Sequence, residues 1–341
     1  MTPRRLLAPP PRADVAAGDV PSFSIAIGVY QSEATIGAAI ESALAQTVAA
    51  REIVVCDDGS SDATAEVAES FGDRVVVLRQ ANRGATVAKT KAAAATTADF
   101  VVFLDGDDEY YPERLEALGE AAALRPDLDV ITTNAALEID GAVERLYYPA
   151  IVRAFPVEDQ ARAIIRNDSA ILGAAAVRRT AFFAAGGLRE GLRSGYDWEL
   201  WIKLAMRGSL FGCVDAPLYL YRLHDEGASA DQVRGWRDAV ELLDHVLETE
   251  RPQGAIRSAL EESRAYHRRG AELNAAEAAL RARGPDARAL ARLVARAPDH
   301  PLPTRAKAVL AATAPAVARR LLEIRELRSG RSRIRKPMPG R

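Results

Sequence analysis

FSIAIGVYQSEATIGAAIESALAQTVAAREIVVCDDGS, residues 23–60, is the stretch on which the fold turns. An apolar run, Phe23–Tyr30, precedes a segment in which Ile36, Ile40 and Leu44 recur at helical spacing; a second apolar run, Glu52–Asp58, ends in acid before Gly59. Short Val/Ile runs bounded by turn residues read as buried strands, and the 3.6-residue period reads as a helix. The unit then repeats. SSDATAEVAESFG reads as a helix that Ser60, Ser61 or Asp62 caps and Gly72 stops, and Arg74–Gln80 as a third strand. GATVAKTKAAAATT reads as a helix and Asp99–Asp108 as a fourth strand. This alternation predicts an α/β fold: a Rossmann-like, mostly parallel sheet with helices on both faces. Ligands of such sheets sit beyond the carboxyl ends of the strands. Those ends carry Tyr30, Asp57–Asp58 and Asp105–Asp108.

Working outward, residues 1–21 are rich in proline and small residues without periodicity, which predicts a disordered leader. They hold no apolar core of signal-peptide length, and no stretch in the chain reaches the roughly 18 apolar residues of a membrane span. DVITTNAALEIDG predicts a strand entering a turn at Asp140–Gly141, and LGAAAVRRTAFFAAGGL a strand, a short helix and a Gly-Gly turn. YDWELWIKLAMRG (Tyr196–Gly208) is an amphipathic helix, and PLYLYRLH (Pro217–His224) a last strand. From about Ser229 the composition shifts to helix formers: Val233, Trp236, Val240, Leu243 and Leu247 step by three and four. The expected organisation is a leader (1–21), an α/β domain (22–228) and an α-helical C-terminal extension (229–341) with a disordered basic tail. Arg319–Arg341 holds nine Lys/Arg against two Glu.

Over all 341 residues, hydrophobic residues make up 48%, and 45 Lys/Arg against 47 Asp/Glu give a formal charge of −2. That balance argues against a dominant nucleic-acid footprint. Two cysteines, Cys56 and Cys213, lie in apolar surroundings and are expected to be buried reduced thiols.

In LDGDD, three carboxylates crowd a strand end: Asp105, Asp107 and Asp108. Like charges so close disfavour joint ionisation unless a cation shares them. Mg²⁺ takes one or two carboxylates together with phosphate oxygens, so a metal–diphosphate site is the simplest functional reading. An acidic turn before the helix near Pro112 is the plainer alternative. CDDGSSD also has two readings: a turn that caps a helix, or a carboxylate offered to a nucleobase or a ribose. In NRGATVAK, a glycine loop with Arg83 and Lys89 opens a helix whose N–H groups suit an anion. Asp197 lies in the first turn of its helix, where a dipole partner and a catalytic base look alike.

Taken in order, these strings resemble the nucleotide-binding half of family-2 glycosyltransferases, with GGLRE, YDWELWIKLAMRG and PLYLYRLHDEGAS matching the second half, over about residues 22–230. The resemblance implies a GT-A fold and an inverting, metal-dependent transfer of a sugar from a nucleotide-diphospho-sugar to a hydroxyl acceptor. It implies that Tyr30 packs on the base and Asp58 bonds it, with Glu33, Arg83 and Lys89 in the donor-binding set. Asp105 is implied near the ribose, Asp107 on Mg²⁺ or Mn²⁺, His224 closing over diphosphate or metal, and Asp197 as catalytic base. The sequence departs from the family's pattern at Gly28-Val29-Tyr30, at Lys89-Thr90 and at Tyr196, where the family commonly has Glu.

The implied setting is polysaccharide or glycoconjugate synthesis in the cytoplasm, with a saccharide or lipid-linked acceptor. Peripheral contact of the basic tail with a membrane, and a homodimer through the C-terminal helices, are further expectations. Two other functions compete. One is a nucleotide-sugar-binding subunit without transfer activity. The other is a haloacid-dehalogenase-type phosphatase with Asp105 as nucleophile, disfavoured by the three strand–helix units before the motif and by Glu109 after it.

Overall fold

The computed structural model describes residues 4–12, 17–139, 141–146, 157–167, 170–223, 232–282, 286–296 and 302–320. The chain divides into two compact units: Met1–Ala230 with Glu241–Ser263, and Asp231–Val240 with Arg264–Arg341.

The first unit is built on one sheet. Its first long strands are β2 (Phe23–Val29), β3 (Ile53–Asp57), β4 (Val76–Arg79) and β5 (Phe100–Asp105), preceded by β1 (Leu6–Leu7). The helices between them are α1 (Ile36–Leu44), α2 (Thr64–Glu69) and α3 (Ala85–Ala94). Then come β6 (Glu109–Tyr110), α4 (Arg114–Leu124), β7 (Leu128–Ile139), β8 (Ala142–Leu146) and α5 (Gln160–Arg166). The unit continues with β9 (Ala175–Arg178), α6 (Arg179–Ala184), α7 (Tyr196–Met206) and β10 (Leu210–Leu223). The sheet order is β1-β10-β7-β9-β5-β2-β3-β4, with β6 paired to β10 and β8 to β7. β4, β3, β2 and β5 are parallel neighbours, and β7 is parallel to β10. β9 runs antiparallel to both β5 and β7, so β7 and β10 point the same way as the first four strands.

The alternation within FSIAIGV explains how the layers stack. Phe23, Ile25, Ile27 and Val29 enter one core cluster with Ile36 and Ile40 of α1 and Leu115 and Leu118 of α4. Each such fully buried side chain contributes about 1.5–3 kcal/mol. The intervening Ser24, Ala26 and Gly28 are small and belong to the opposite face of the strand. There the alanine-rich α3 packs closely on β2: a Cβ on Gly28 would lie 2.8 Å from the Lys89 backbone nitrogen and 2.7 Å from its Cγ. Gly28 is the register partner of Asp105. Lys89 is thereby laid over the position beside Asp105.

The leader expected to lack structure instead contributes an edge strand. Leu6–Leu7 pair antiparallel with Cys213–Val214 of β10. Arg125 donates to the Pro9 carbonyl (2.6 Å), and the Arg12 N–H donates to Asp127 (3.1 Å). A two-residue strand is too short to produce an alternation visible in sequence. The expected boundary at 228/229 also shifts, because residues 241–263 belong with the sheet. Leu242, Leu243 and Val246 are fully buried there, and ion pairs Arg189–Glu241 and Arg207–Glu250 flank them. Periodicity reports that a helix has an apolar face; it does not report which neighbour covers that face. Cys56 and Cys213 are free and buried, as expected, and burial pushes their thiols up to about 11 and about 12.

The second unit is helical. It takes the first part of α8 (Gln232–Thr249), most of α9 (Gly254–Arg281), and α10 (Ala287–Arg296) and α11 (Leu302–Thr313). Trp236 seats directly on Gly270, where a Cβ would fall 2.3 Å from the indole, and packs beside Tyr266 and His267. Two small clusters, Ala276–Val294–Ala308 and Leu280–Ala287–Ala318, make up its apolar interior. No helix among the described residues is long and apolar enough to cross a membrane. The basic tail from Leu321 lies outside the described residues.

Candidate active site

Tyr30, Asp58 and Asp105 come together at one edge of the sheet because β2, β3 and β5 are adjacent and parallel, with Val29 opposite Asp57 and Gly28 opposite Asp105. Tyr30 is 50% exposed at the end of β2, an aromatic face open to a ligand. Next to it the chain turns through Gln31, a non-glycine residue at φ 52°. Its N–H donates to the Ser60 hydroxyl (2.9 Å) and its side-chain carbonyl accepts from the Ser61 and Asp62 N–H groups (both 3.2 Å). Glu33 accepts from the Ala63 N–H (2.9 Å) and so helps fix the start of α2.

Asp58 is buried. It accepts from the Gln80 amide (2.8 Å), the Arg83 N–H (2.9 Å) and the Gly84 N–H (2.7 Å). Three donors on one carboxylate hold the 80–84 loop against β3 and start α3. Both sequence readings of the acid pair therefore share one residue: Asp58 orders a turn and stands at the strand end. Arg83 reaches Glu190 through two nitrogens (3.0 and 3.3 Å to Oε1). That pair is 57% and 58% exposed, which makes it weak.

Lys89 is the hinge of the arrangement. Its side chain is 3% exposed, against 32% for Asp105, with which it forms an ion pair. The same ammonium donates to the Tyr196 hydroxyl (3.1 Å) and lies 5.1 Å from the centre of that ring. Burial alone would pull the ammonium's pKa down; the Asp105 carboxylate and the Tyr196 oxygen outweigh it, and the net shift is upward. Lys89 thus stays charged and joins the end of β5 to the first residue of α7.

Asp197 follows in the first turn of α7, after Gly195 in the left-handed region (φ 71°). It is half-buried, and its Oδ1 accepts from the Trp198 N–H (2.9 Å). Burial raises its pKa above the ordinary carboxylate value, opposed in part by that bond and by the charge of Lys89. Trp198 and Trp201 anchor the helix by donating to the Ile164 carbonyl (2.6 Å) and the Ala170 carbonyl (2.7 Å). Glu199, one turn-face away, is buried in ion pairs with Arg189 (2.7 Å) and Lys203 (2.6 Å) and so belongs to the helix's support.

The three acids of LDGDD separate by environment. Asp105 meets Lys89, and Asp107 is half-buried on the turn, its carbonyl accepting from Arg222 (3.2 Å). Asp108 is buried, accepting from the Tyr219 hydroxyl and from the Arg222 N–H (2.7 Å). Burial, then the charges of Asp105 and Asp107, push its pKa well above the ordinary value. Among the described residues no group of three or more His, Cys, Asp or Glu is placed to hold a metal ion. Asp107 with Asp105 is the remaining carboxylate pair at the strand end. His224 lies outside the described residues.

Sequence reading missed three participants. Tyr196 registers only as a departure from a familiar pattern, yet it is the neutral partner of Lys89. Arg222, in the string that located His224, binds Glu109 (2.6 Å) and Glu138 (3.3 Å) and so clamps the acidic turn to β7. Arg114 is fully buried, 4.6 Å from the Tyr110 ring centre and donating to the Gly173 carbonyl (3.0 Å). Lys89 was singled out by its place after the glycine loop, whereas Arg114, between Glu113 and Glu116, carries no signal in the sequence.

A mostly parallel sheet with acid-bearing strand ends and a helix-borne acid on the adjoining element is the GT-A architecture. The model of the family described as "Glycosyl transferase family 2" matches residues 24–185 of the chain. Putative glycosyltransferase EpsH of Bacillus subtilis is 26% identical over 213 residues, 60% of this chain and 62% of that protein. Succinoglycan biosynthesis protein ExoU of Rhizobium meliloti is 33% identical over 205 residues, 55% of this chain and 58% of that protein. The chain therefore matches less than two thirds of the length of either relative. The crystal structure of S. aureus TarS 1-349 in complex with UDP-GlcNAc superposes with a TM-score of 0.56 at 16% identity, covering 90% of this chain and 92% of that one.

Proposed function

We propose that the chain is an inverting, metal-dependent glycosyltransferase that moves a sugar from a nucleotide-diphospho-sugar to a hydroxyl acceptor in polysaccharide or glycoconjugate synthesis. The observation that supports it is the Lys89 bridge, which brings Asp105 at the end of β5 to Tyr196, the neighbour of Asp197. A donor diphosphate at the strand ends and an acceptor at α7 then share one site. The kinship with succinoglycan and EpsH-type proteins agrees with the setting.

Two carboxylates plus diphosphate oxygens suit Mg²⁺ or Mn²⁺, and Asp107 with Asp105 fits that donor set, His224 being a further candidate ligand. Bound there, the ion would neutralise charge on the departing diphosphate. The chain's own residues do the rest. Tyr30 stacks on the base, and Asp58 presents the 80–84 loop toward it. Arg83 exchanges its weak pair with Glu190 for a phosphate, and the buried charge of Lys89 favours anionic leaving-group oxygens. Asp197 accepts the proton of the acceptor hydroxyl as that oxygen bonds the anomeric carbon. The anomeric C–O bond to the diphosphate breaks with its electron pair leaving on the diphosphate, and attack from the opposite face inverts the centre. The family match across β5 removes the support for Asp105 as a phosphatase nucleophile. The proposal sets this reaction in the cytoplasm, at a membrane surface that the basic C-terminal segment meets.

Thermal-shift screening of UDP-, GDP- and dTDP-sugars with and without Mn²⁺ tests the reading. A true donor at 100 times its Kd stabilises by about 2.7 kcal/mol, and turnover of it gives product of inverted anomeric configuration. No shift with any of them would refute the proposal.

A further inference from the structure

The near-neutral total charge conceals a sharp division. Residues 264–341 hold 19 Lys/Arg against 6 Asp/Glu, a formal +13, and residues 1–263 hold 26 against 41, a formal −15. In the sheet unit, several exposed arginines have acidic partners: Arg79 with Glu66 and Glu69, Arg162 with Asp159, and Arg257 with Glu261. On α10 they do not. Arg288, Arg292 and Arg296 recur every fourth residue on one exposed face, while Ala287, Ala291 and Val294 are buried on the other. None of the three arginines meets a carboxylate among the described residues. Lys307 and Arg320 are exposed on the segments that follow.

We propose that the α10 arginine face docks the protein on a bilayer containing anionic phospholipid. This deepens the membrane-surface reading given above and rests on it. A row of guanidinium groups that no carboxylate among the described residues meets is complementary to phosphate headgroups, each Lys/Arg near such a surface contributing about 1 kcal/mol. The same unit supplies apolar surface. Val309 and Val317 are 50% and 53% exposed, and a cavity of about 240 Å³ between α9, α10 and α11 is walled by Leu273, Leu280, Val294 and Leu310 with Lys307 and Thr304. Because the apolar face of α10 is packed inside the unit, its contact with lipid is electrostatic. A single-stranded nucleic acid would instead call for open aromatic platforms, and here Trp236 is packed on Gly270, Tyr266 and His267.

The test is co-sedimentation of the full chain with phosphatidylcholine vesicles, with and without phosphatidylglycerol, at two salt concentrations. Binding is expected only with phosphatidylglycerol, falling with salt. Arg288→Ala/Arg292→Ala/Arg296→Ala, which keeps a strong helix former at each position, should weaken it about 10²-fold, at roughly fivefold per arginine. Arg79→Ala/Arg162→Ala/Arg257→Ala removes the same charge from the sheet unit and should leave binding unchanged. The inference is overturned if the α10 triple binds like wild type, or if both triples weaken binding equally. It is also overturned if removing residues 321–341 alone abolishes binding, or if duplex DNA displaces the vesicles at stoichiometric amounts. The nucleotide-sugar thermal shift, run on the same preparations, fails or holds independently of vesicle binding, so the two readings are separable.

Discussion

The two ends of the chain use charge in opposite ways. In the sheet unit, carboxylates are drawn inward and given partners: Asp58 three donors, Asp108 a tyrosine and an amide, Asp105 a buried lysine. On α10, guanidinium groups are turned outward and meet no acid among the described residues. An inward, partnered charge fixes atoms relative to one another, which chemistry needs; an outward, bare one attracts a surface whose details do not matter. The difference implies that substitutions in the first region change rate or stability sharply and locally, and those in the second change adhesion and little else.

The largest effect should come from Asp197. Asp197→Asn keeps the side chain's shape and its acceptance of the Trp198 N–H but removes the base. Transfer should fall ~10²–10⁴-fold, while the thermal shift by the nucleotide-sugar persists. In the wild type, the pKa of Asp197 is raised by burial, so the base form is lost as pH falls through a value above the ordinary carboxylate range. The acid limb of kcat/KM should sit correspondingly high. Wild-type turnover in the variant, or an acid limb at the ordinary value, would show that Asp197 only completes its helix.

Asp58 sharpens the comparison on the stability side. Asp58→Ala leaves the Arg83 and Gly84 N–H groups and the Gln80 amide without their acceptor. Bonds to a charged group contribute about 1.5–3 kcal/mol each before relaxation, so a loss of about 3 kcal/mol in urea denaturation is expected without any ligand present. A change under about 0.5 kcal/mol would mean that the loop holds itself, and that the acid is there for the nucleotide alone.

Tyr196 should give a smaller and more specific effect. Tyr196→Phe retains the ring beside Lys89 and deletes the hydroxyl that accepts from it. With one charge-assisted bond lost at about 1.5 kcal/mol, kcat should drop about tenfold with KM for the donor little changed, because Lys89 keeps Asp105. A rise in KM with kcat intact would instead assign Tyr196 to donor binding.

These residues also mark how far sequence could go. The four parallel strands, α3 and α7 were legible because FSIAIGV, EIVVCDD and DFVVFLDGDD carry their own period and punctuation. The grouping of Tyr30, Asp58 and Asp105 followed from topology alone. The Lys89–Asp105 contact did not, because it depends on the small face of β2 admitting α3 over Gly28, a three-body packing fact. Nor did the separation of Asp108 from its neighbours, set by Tyr219 and Arg222 more than 100 positions away. β1 was too short to register, and the apolar stripe of α8 was visible without its owner.

The smallest expected effect tests the outward half of the comparison. In Arg288→Ala/Arg292→Ala/Arg296→Ala, no hydrogen bond or ion pair among the described residues is lost, and alanine is the strongest helix former. Surface substitutions away from such features change stability by no more than about 0.5 kcal/mol. Relief of like-charge crowding at i, i+4 should offset what little is lost, since repulsion there is destabilising by a few tenths of a kcal/mol. The urea midpoint and the nucleotide-sugar shift should therefore match wild type. A loss above about 1 kcal/mol would show that these arginines hold the helical unit together, and their outward charge would then be a structural requirement rather than a contact surface.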